Sequence, residues 1–200
     1  MEEYLKFERE ASRLEVLIIR PLFSIIIEIV LLVYGFIASI CMVFQWLIVL
    51  IAGERSEGLN NPIKNYVEYI IQVYPYMYLL TDERPELSHK EVKIYLEELE
   101  FGNKEEILKF EKEASRLEVL IIRPIYGFIV MIVLGIYGLI AGICIAIQWL
   151  IVLITGERSE GLNDPIKNFM GFIIQTYPYF NLLTDERPEL TPKNVNVYVE

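Results

Sequence analysis

Polar and apolar positions are segregated along this chain. Residues 21–52 carry one charged side chain, Glu28, and residues 124–155 carry none. Uninterrupted apolar runs of more than about 18 residues match the thickness of a bilayer. As a single helix each run would be about 48 Å long, against a hydrocarbon core of about 30 Å. The pattern predicts a bent pair of crossings in each run, residues 13–34 and then 36–53, with the bend at Gly35 and at Gly138. One long tilted helix is the alternative.

The segments around each run have their own periodicities. Ser12-Arg13-Leu14-Glu15 and Ser115-Arg116-Leu117-Glu118 have capping-box spacing, in which Ser and Glu satisfy free N–H groups at a helix start. Pro21 and Pro124 should kink the helix two turns later. Arg20 and Arg123, just before them, are expected to snorkel to the headgroups. After each run a polar loop leads to Asn61-Pro62 or Asp164-Pro165, a helix-start signal. Ile63, Tyr66, Val67, Ile70, Val73 and Tyr74 then follow helical spacing, opposite Lys64, Asn65, Glu68 and Gln72. This predicts an amphipathic helix of about three turns, ended by Pro75 or Pro178 and lying in the interface or against the membrane helices. Val92, Ile94 and Leu96 alternate with polar residues, as do Val195, Val197 and Val199, so short strands outside the membrane are expected.

All of these signals occur twice. ASRLEVLIIRP, QWLIVLI, GERSEGLN and TDERPEL recur at a constant offset of 103 residues. The chain is a tandem duplication, with residues 1–103 as the first membrane repeat and residues 104–200 as the second. Identical flanks suggest that both copies face the same environment. That favours an even number of crossings per repeat and two parallel repeats. Arginines at both ends of each run (Arg20 and Arg55; Arg123 and Arg158) agree with both ends on one side.

Composition narrows the function classes. The chain is 54% hydrophobic with a formal net charge of −10, and its mean hydropathy is +0.39. An acidic chain lacks the basic footprint that nucleic acids need. Its acidic, polar opening residues differ from a secretory leader, which begins basic and turns apolar. Cys41 and Cys144, one per repeat and inside the apolar runs, read as small hydrophobes rather than a disulfide framework.

Few residues are candidates for chemistry. Glu28 is the one ionisable group deep in an apolar run, which marks it as a functional candidate; its counterpart is Met131. Gln45 and Gln148 are polar positions within the apolar runs, suited to interhelical hydrogen bonds or a polar path. Gly35 with Ser39, and Gly138 with Gly142, are small-xxx-small pairs that permit close helix packing. Asp82 and Glu83, with Asp185 and Glu186, form acidic loops. They could hold a cation, but a Thr-Asp-x-x-Pro turn or inter-element ion pairs explain them more simply. His89 is the one histidine. There is no nucleophile–base pair, phosphate loop or metal-ligand spacing, so no cofactor and no metal are expected, and the chain is read as non-enzymatic.

In order, the motifs are Arg13-Leu14, Gln45-Trp46, the Gly-Glu-Arg…Gly-Leu segment at 53–59, and the TDERP closure at 78–85. They return as Arg116-Leu117, Gln148-Trp149, residues 155–162 and residues 182–188. This series resembles domain-of-unknown-function family 4389, a prokaryotic membrane family. Its closing motif is aromatic (EYPPF) where this chain has ERPEL. The resemblance implies a membrane protein and brings no activity, substrate or catalytic residue.

The expected protein is an all-α integral membrane protein of two repeats, multi-pass in the cytoplasmic membrane. Each repeat has a membrane hairpin, or one long tilted helix, plus an amphipathic interfacial helix. The expected role is a scaffold or accessory subunit that forms a homo-oligomer or docks on a larger membrane complex, with the bilayer as its first partner. Membrane shaping is one form of that role, by analogy with reticulon-like layouts. The alternative is a small channel or transporter with Glu28, Gln45 and Gln148 lining a path.

Overall fold

The computed structural model describes residues 7–97, 104–106, 108–192 and 195–199. In the first repeat a short π-helical stretch, Glu15–Ile19, runs directly into α1 (Arg20–Ala52), and α2 (Glu57–Met77) folds back along it. Strands β1 (Val92–Glu97) and β2 (Lys104–Glu106) lie between the repeats. The second repeat has the π stretch Glu118–Ile122, α3 (Arg123–Thr155), α4 (Glu160–Phe180) and β3 (Val195–Val199).

The hairpin expected within each apolar run is absent. From Glu15 to Ala52, and from Glu118 to Thr155, the chain is one helix of 38 residues. Gly35 and Gly138 sit inside it. A glycine costs a helix only about 1 kcal/mol, whereas breaking the helix would strand backbone groups in an apolar setting. Neither site has proline, asparagine or aspartate to make a turn. The single long helix is therefore the form each run takes.

Pro21 and Pro124 are absorbed without breaking the helix. Each follows the π stretch, where the N–H of Arg20 reaches back to the Glu15 carbonyl, and that of Arg123 to Glu118. This wider turn adjusts the backbone just where proline removes a donor. Gly53 and Gly156 then end the long helices in left-handed conformation (φ 76° and 80°), a C-cap that glycine adopts without a Cβ penalty.

The second helix of each repeat is longer than its sequence signals. It starts after Ser56 or Ser159 and passes through Pro62 and Pro75, or Pro165 and Pro178, so each spans 21 residues. The expected stops at Pro75 and Pro178 give way because Tyr76 and Tyr179 are needed, still helical, against the starts of α1 and α3.

Helix α2 is buried on three sides. Tyr69, Ile70, Val73 and Tyr76 meet Ile27 and Leu31 of α1. Ile63, Val67 and Ile71 join Ile166, Met170 and Ile174 of α4. Lys64, Glu68 and Gln72 hold the returning segment 86–92. At 100° per residue these faces lie roughly 120° apart.

The repeats are antiparallel rather than parallel. Arg13, at the start of the first repeat, donates to the Ile154 carbonyl at the end of α3, and Arg116 donates to Ile51 at the end of α1, both at 2.7 Å. The start of each long helix thus lies beside the end of the other. Strand β1 pairs antiparallel with its own counterpart β3, Ile94 opposite Val197, in a sheet of order β2-β1-β3. Tyr74 meets its counterpart Tyr177 edge-on, with ring centroids 6.5 Å apart. A pseudo-two-fold axis relates the copies through these two pairs. Because it reverses the helix directions and exchanges α2 with α4, it stands perpendicular to the α2–α4 layer. Helices α1 and α3 therefore share one side of that layer, and the return segments and sheet share the other.

One member of each expected small-residue pair is packed against a neighbouring helix. A Cβ on Gly35 would sit 3.2 Å from the Tyr66 ring, and one on Gly138 would sit 3.2 Å from Phe169. Ser39 is exposed and its hydroxyl bonds back to the Gly35 carbonyl at 2.6 Å. Around Gly142 nothing lies within 4 Å. The expected outcome is that Gly138→Leu, in detergent unfolding experiments, loses about 1–3 kcal/mol to overpacking, while Gly142→Leu loses none. Equal losses at both positions would refute this packing assignment.

Candidate functional site: two reciprocal arginine–aspartate clusters

The polar residues shared by both copies converge at the two ends of the molecule. At one end Arg20 is buried (5% exposed). It donates to the carbonyls of Tyr76 and of Thr81 (2.9 Å) and to Asp82 Oδ1 at 2.7 Å. Its guanidinium lies over the Tyr76 ring, 4.5 Å from the centroid. At the other end Arg123 does the same with Tyr179, Thr184 and Asp185. The expectation that these arginines snorkel outward is overturned. The π stretch turns them inward, where carbonyls, a carboxylate and an aromatic face replace their hydration.

The second arginine of each cluster comes from the other repeat. Arg158, 3% exposed, donates to Asp82 Oδ1, to the Leu79 carbonyl at 2.8 Å and to the Glu10 carbonyl at 2.7 Å. Reciprocally, Arg55 donates to Asp185, to the Leu182 carbonyl at 2.9 Å and to the Glu113 carbonyl at 2.7 Å. Asp82 Oδ2 also accepts the Ser12 N–H, and Asp185 Oδ2 that of Ser115, both at 2.7 Å. Each aspartate is therefore engaged by two guanidiniums and a backbone amide.

The capping boxes are only half used. Ser12 Oγ accepts the Glu15 N–H, as expected, and Ser115 accepts that of Glu118, both at 3.3 Å. The glutamates reach elsewhere. Glu15 takes a bidentate pair from Arg84 (3.0 and 2.8 Å) and the Tyr76 hydroxyl (2.7 Å). Glu118 does so with Arg187 and Tyr179. Burial, and then the bond to Glu15, push the Tyr76 phenol well above its ordinary range, so it stays a donor; Tyr179 is held likewise.

Leu79 and Leu182 are the residues the sequence did not announce. Both have left-handed backbone, φ 65° and 62°, a costly conformation for a residue with a branched side chain. The turn survives because each leucine is buried, Leu79 against Val16 and Val152 and Leu182 against Val49 and Val119. It also aims the leucine carbonyl at the partner repeat's arginine. The one available signal was the TDERP repeat downstream, which marked a shared turn but not its sign of φ.

The other candidates fall outside these clusters. Gln45 and Gln148 are fully buried, and their Oε1 atoms accept the Ser56 and Ser159 N–H groups at 3.1 and 3.0 Å. They anchor the starts of α2 and α4. Glu28 lies on the flank of α1, in an open groove of about 700 Å³ with Ser24, Gly35, Ser39, Tyr66 and Tyr74. Glu83 and Glu186 are exposed beside their clusters. His89 is paired with Glu68 at 2.8 Å on α2. Among the described residues, no group of three or more His, Cys, Asp or Glu side chains is placed to hold a metal ion.

The clusters define a two-fold helical repeat protein whose halves are locked by exchanged arginines, with its long apolar helices outermost. The chain belongs to the family described as domain of unknown function DUF4389, whose model matches twice, over residues 15–88 and 118–190. Each match runs from the cluster glutamate to just past the TDERP turn, so the family unit is the helix pair with its closing loop. No curated protein and no solved structure matches the chain.

Asp82→Asn removes the charge while keeping the shape, leaving Arg20 and Arg158 buried and underpaired. A loss of about 3–5 kcal/mol is expected, as for other broken buried pairs. In double-mutant cycles Asp82→Asn should couple to Arg158→Gln and add independently to Arg55→Gln, which lies at the opposite end. Additivity with both arginines would show that the exchange between repeats contributes nothing.

Proposed function

We propose that this protein is a non-enzymatic membrane scaffold or accessory subunit, anchored by α1 and α3. The observation that carries this reading is the outer surface of those helices. Leu22, Ile29, Leu32, Phe36, Ile40 and Val43 on α1 are exposed, as are Phe128, Met131, Ile136, Leu139 and Ile143 on α3. The buried seam is narrow, at near-heptad spacing (Ile27, Leu31, Ala38, Gln45 and Val49), with Phe23, Tyr34 and Gly35 packed along its edge. A helix of 38 residues is about 57 Å long and about 10 Å wide. Each outer face is thus an apolar strip on the order of 500 Å², as large as the largest patch of a typical soluble monomer, and there are two. Lipid is the solvent that such faces suit.

The polar features of the chain support a structural role. Asp82 and Asp185, arginines 20, 55, 123 and 158, and Gln45 and Gln148 are used to hold elements together. The repeated clusters bind repeat to repeat and leave the return segments and sheet free to meet other proteins or a second copy.

The chain is expected to float with phosphatidylcholine–phosphatidylglycerol vesicles in a density gradient and to resist extraction by alkaline carbonate. Phe36→Lys with Leu139→Lys, two charges on the outer faces, should reduce the floating fraction several-fold at unchanged helicity. Wild-type protein left at the bottom of the gradient would sink the proposal.

A further inference from the structure

Resting on that membrane reading, we infer that α1 and α3 lie along the membrane within one leaflet, and that the molecule does not cross the bilayer. The reason is the height at which its charges sit. Tyr69 of α2 stacks on Tyr34 of α1 (centroids 5.2 Å apart), and Tyr66 lies against Gly35. Those α1 residues are at the middle of the apolar run. One helical turn away on α2 are Lys64 and Glu68, bonded to Glu91 and His89 of the return segment. The Glu91 side chain is 57% exposed, and Lys90 and Glu86 beside it pair at 38% and 60% exposure.

With α1 upright, this charged, solvent-accessible strip would stand at the bilayer midplane. An ionised group is costly at that depth, which is why such residues are rare there. The second repeat holds its return chain in the same way, with Gln175 donating to the Glu189 carbonyl, although Gly171 and Pro192 stand where the first repeat has Glu68 and His89. The non-helical return chain would also be exposed to lipid, which membrane proteins avoid.

Laid flat, the molecule keeps this charged strip and the return chain out of the hydrocarbon, with Glu28 on the flank of α1 left at the depth of the long helices. The two-fold axis becomes the membrane normal. Helices α1 and α3 face the hydrocarbon side by side, α2 and α4 form the next layer, and the return segments and sheet face water. A helix about 10 Å thick fits within one leaflet of about 15 Å. The length of 38 residues, far too long for an upright span, needs no tilt when it runs parallel to the surface. Both arginine–aspartate clusters then lie at headgroup level on the same side, in place of the multi-pass topology expected from hydropathy. A slab filling one leaflet and leaving the other untouched is a wedge, which suits a membrane-shaping scaffold.

The test counts labels per molecule. Glu57 and Glu160 are exposed equivalents at opposite ends of the molecule. The variant Glu57→Cys/Glu160→Cys, with Cys41→Ala and Cys144→Ala, is reconstituted into sealed phosphatidylcholine–phosphatidylglycerol vesicles. Membrane-impermeant maleimide is added outside, and intact masses are measured. A flat molecule carries two labels or none, according to which leaflet holds it. An upright molecule carries one label whichever way it inserts, because the repeats are antiparallel. Vesicle-bound protein with a single label overturns this inference while leaving the membrane reading standing. Protein that fails to float with the vesicles overturns both.

Discussion

The exchange of Arg158 for Arg55 across the two-fold axis is the constraint on which the architecture depends. Each arginine leaves the end of its own long helix and is received by the TDERP turn of the other repeat, at Asp82 or Asp185. A guanidinium that is fully out of water must have every donor answered. Here the answers come from an aspartate, from the carbonyl of a strained leucine and from the carbonyls of the partner's entry segment. Neither repeat carries the complete set alone, so the pair is a single unit.

The antiparallel layout follows from that exchange. If the end of α3 must meet the turn after α2, and the end of α1 the turn after α4, then each long helix starts where the other ends. The smaller contacts repeat the arrangement. Arg13 and Arg116 cap the last carbonyls of the opposite helix, where a cation also meets the negative end of the helix dipole. The amide of Ala11 bonds to the Gly156 carbonyl at 2.9 Å, and that of Ala114 to Gly53 at 3.0 Å. Gly53 and Gly156 are thus fixed twice, by their left-handed φ and by the arginine of the other repeat packed beside them.

Layering converts this symmetry into a surface with two characters. Helices α2 and α4 are amphipathic, yet they are the buried layer, because α1 covers their apolar side and the return segment covers their polar side. Helices α1 and α3 are apolar all round, yet they are the exposed layer. This inverts the usual soluble arrangement, in which an all-apolar helix is the buried one. On the membrane reading proposed above, lipid is what completes that exposed apolar surface.

Much of this was legible in the chain. The duplication is visible as repeated motifs, and the two apolar helices, the amphipathic second helices and the strand alternation follow from local signals, since each rests on propensity or periodicity within a few turns. The failures were equally physical. Length, identical flanks and arginines at both ends of the run point to a bend at Gly35, where no turn chemistry exists to make it. Pro75 reads locally as a stop, but packing carries the helix past it. Arg20 was sent outward because an arginine beside an apolar run usually snorkels, and nothing local announced Asp82, some sixty residues away, as its partner. Identical flanks suggested parallel repeats, but identity of sequence is equally served by a two-fold axis that reverses the second copy. The sequence by itself determined which segments are helical and which of their faces are apolar, because those properties are written at spacings of two to four residues. Tertiary structure alone decided direction, depth and partnership, because these depend on which distant carboxylate answers each buried guanidinium.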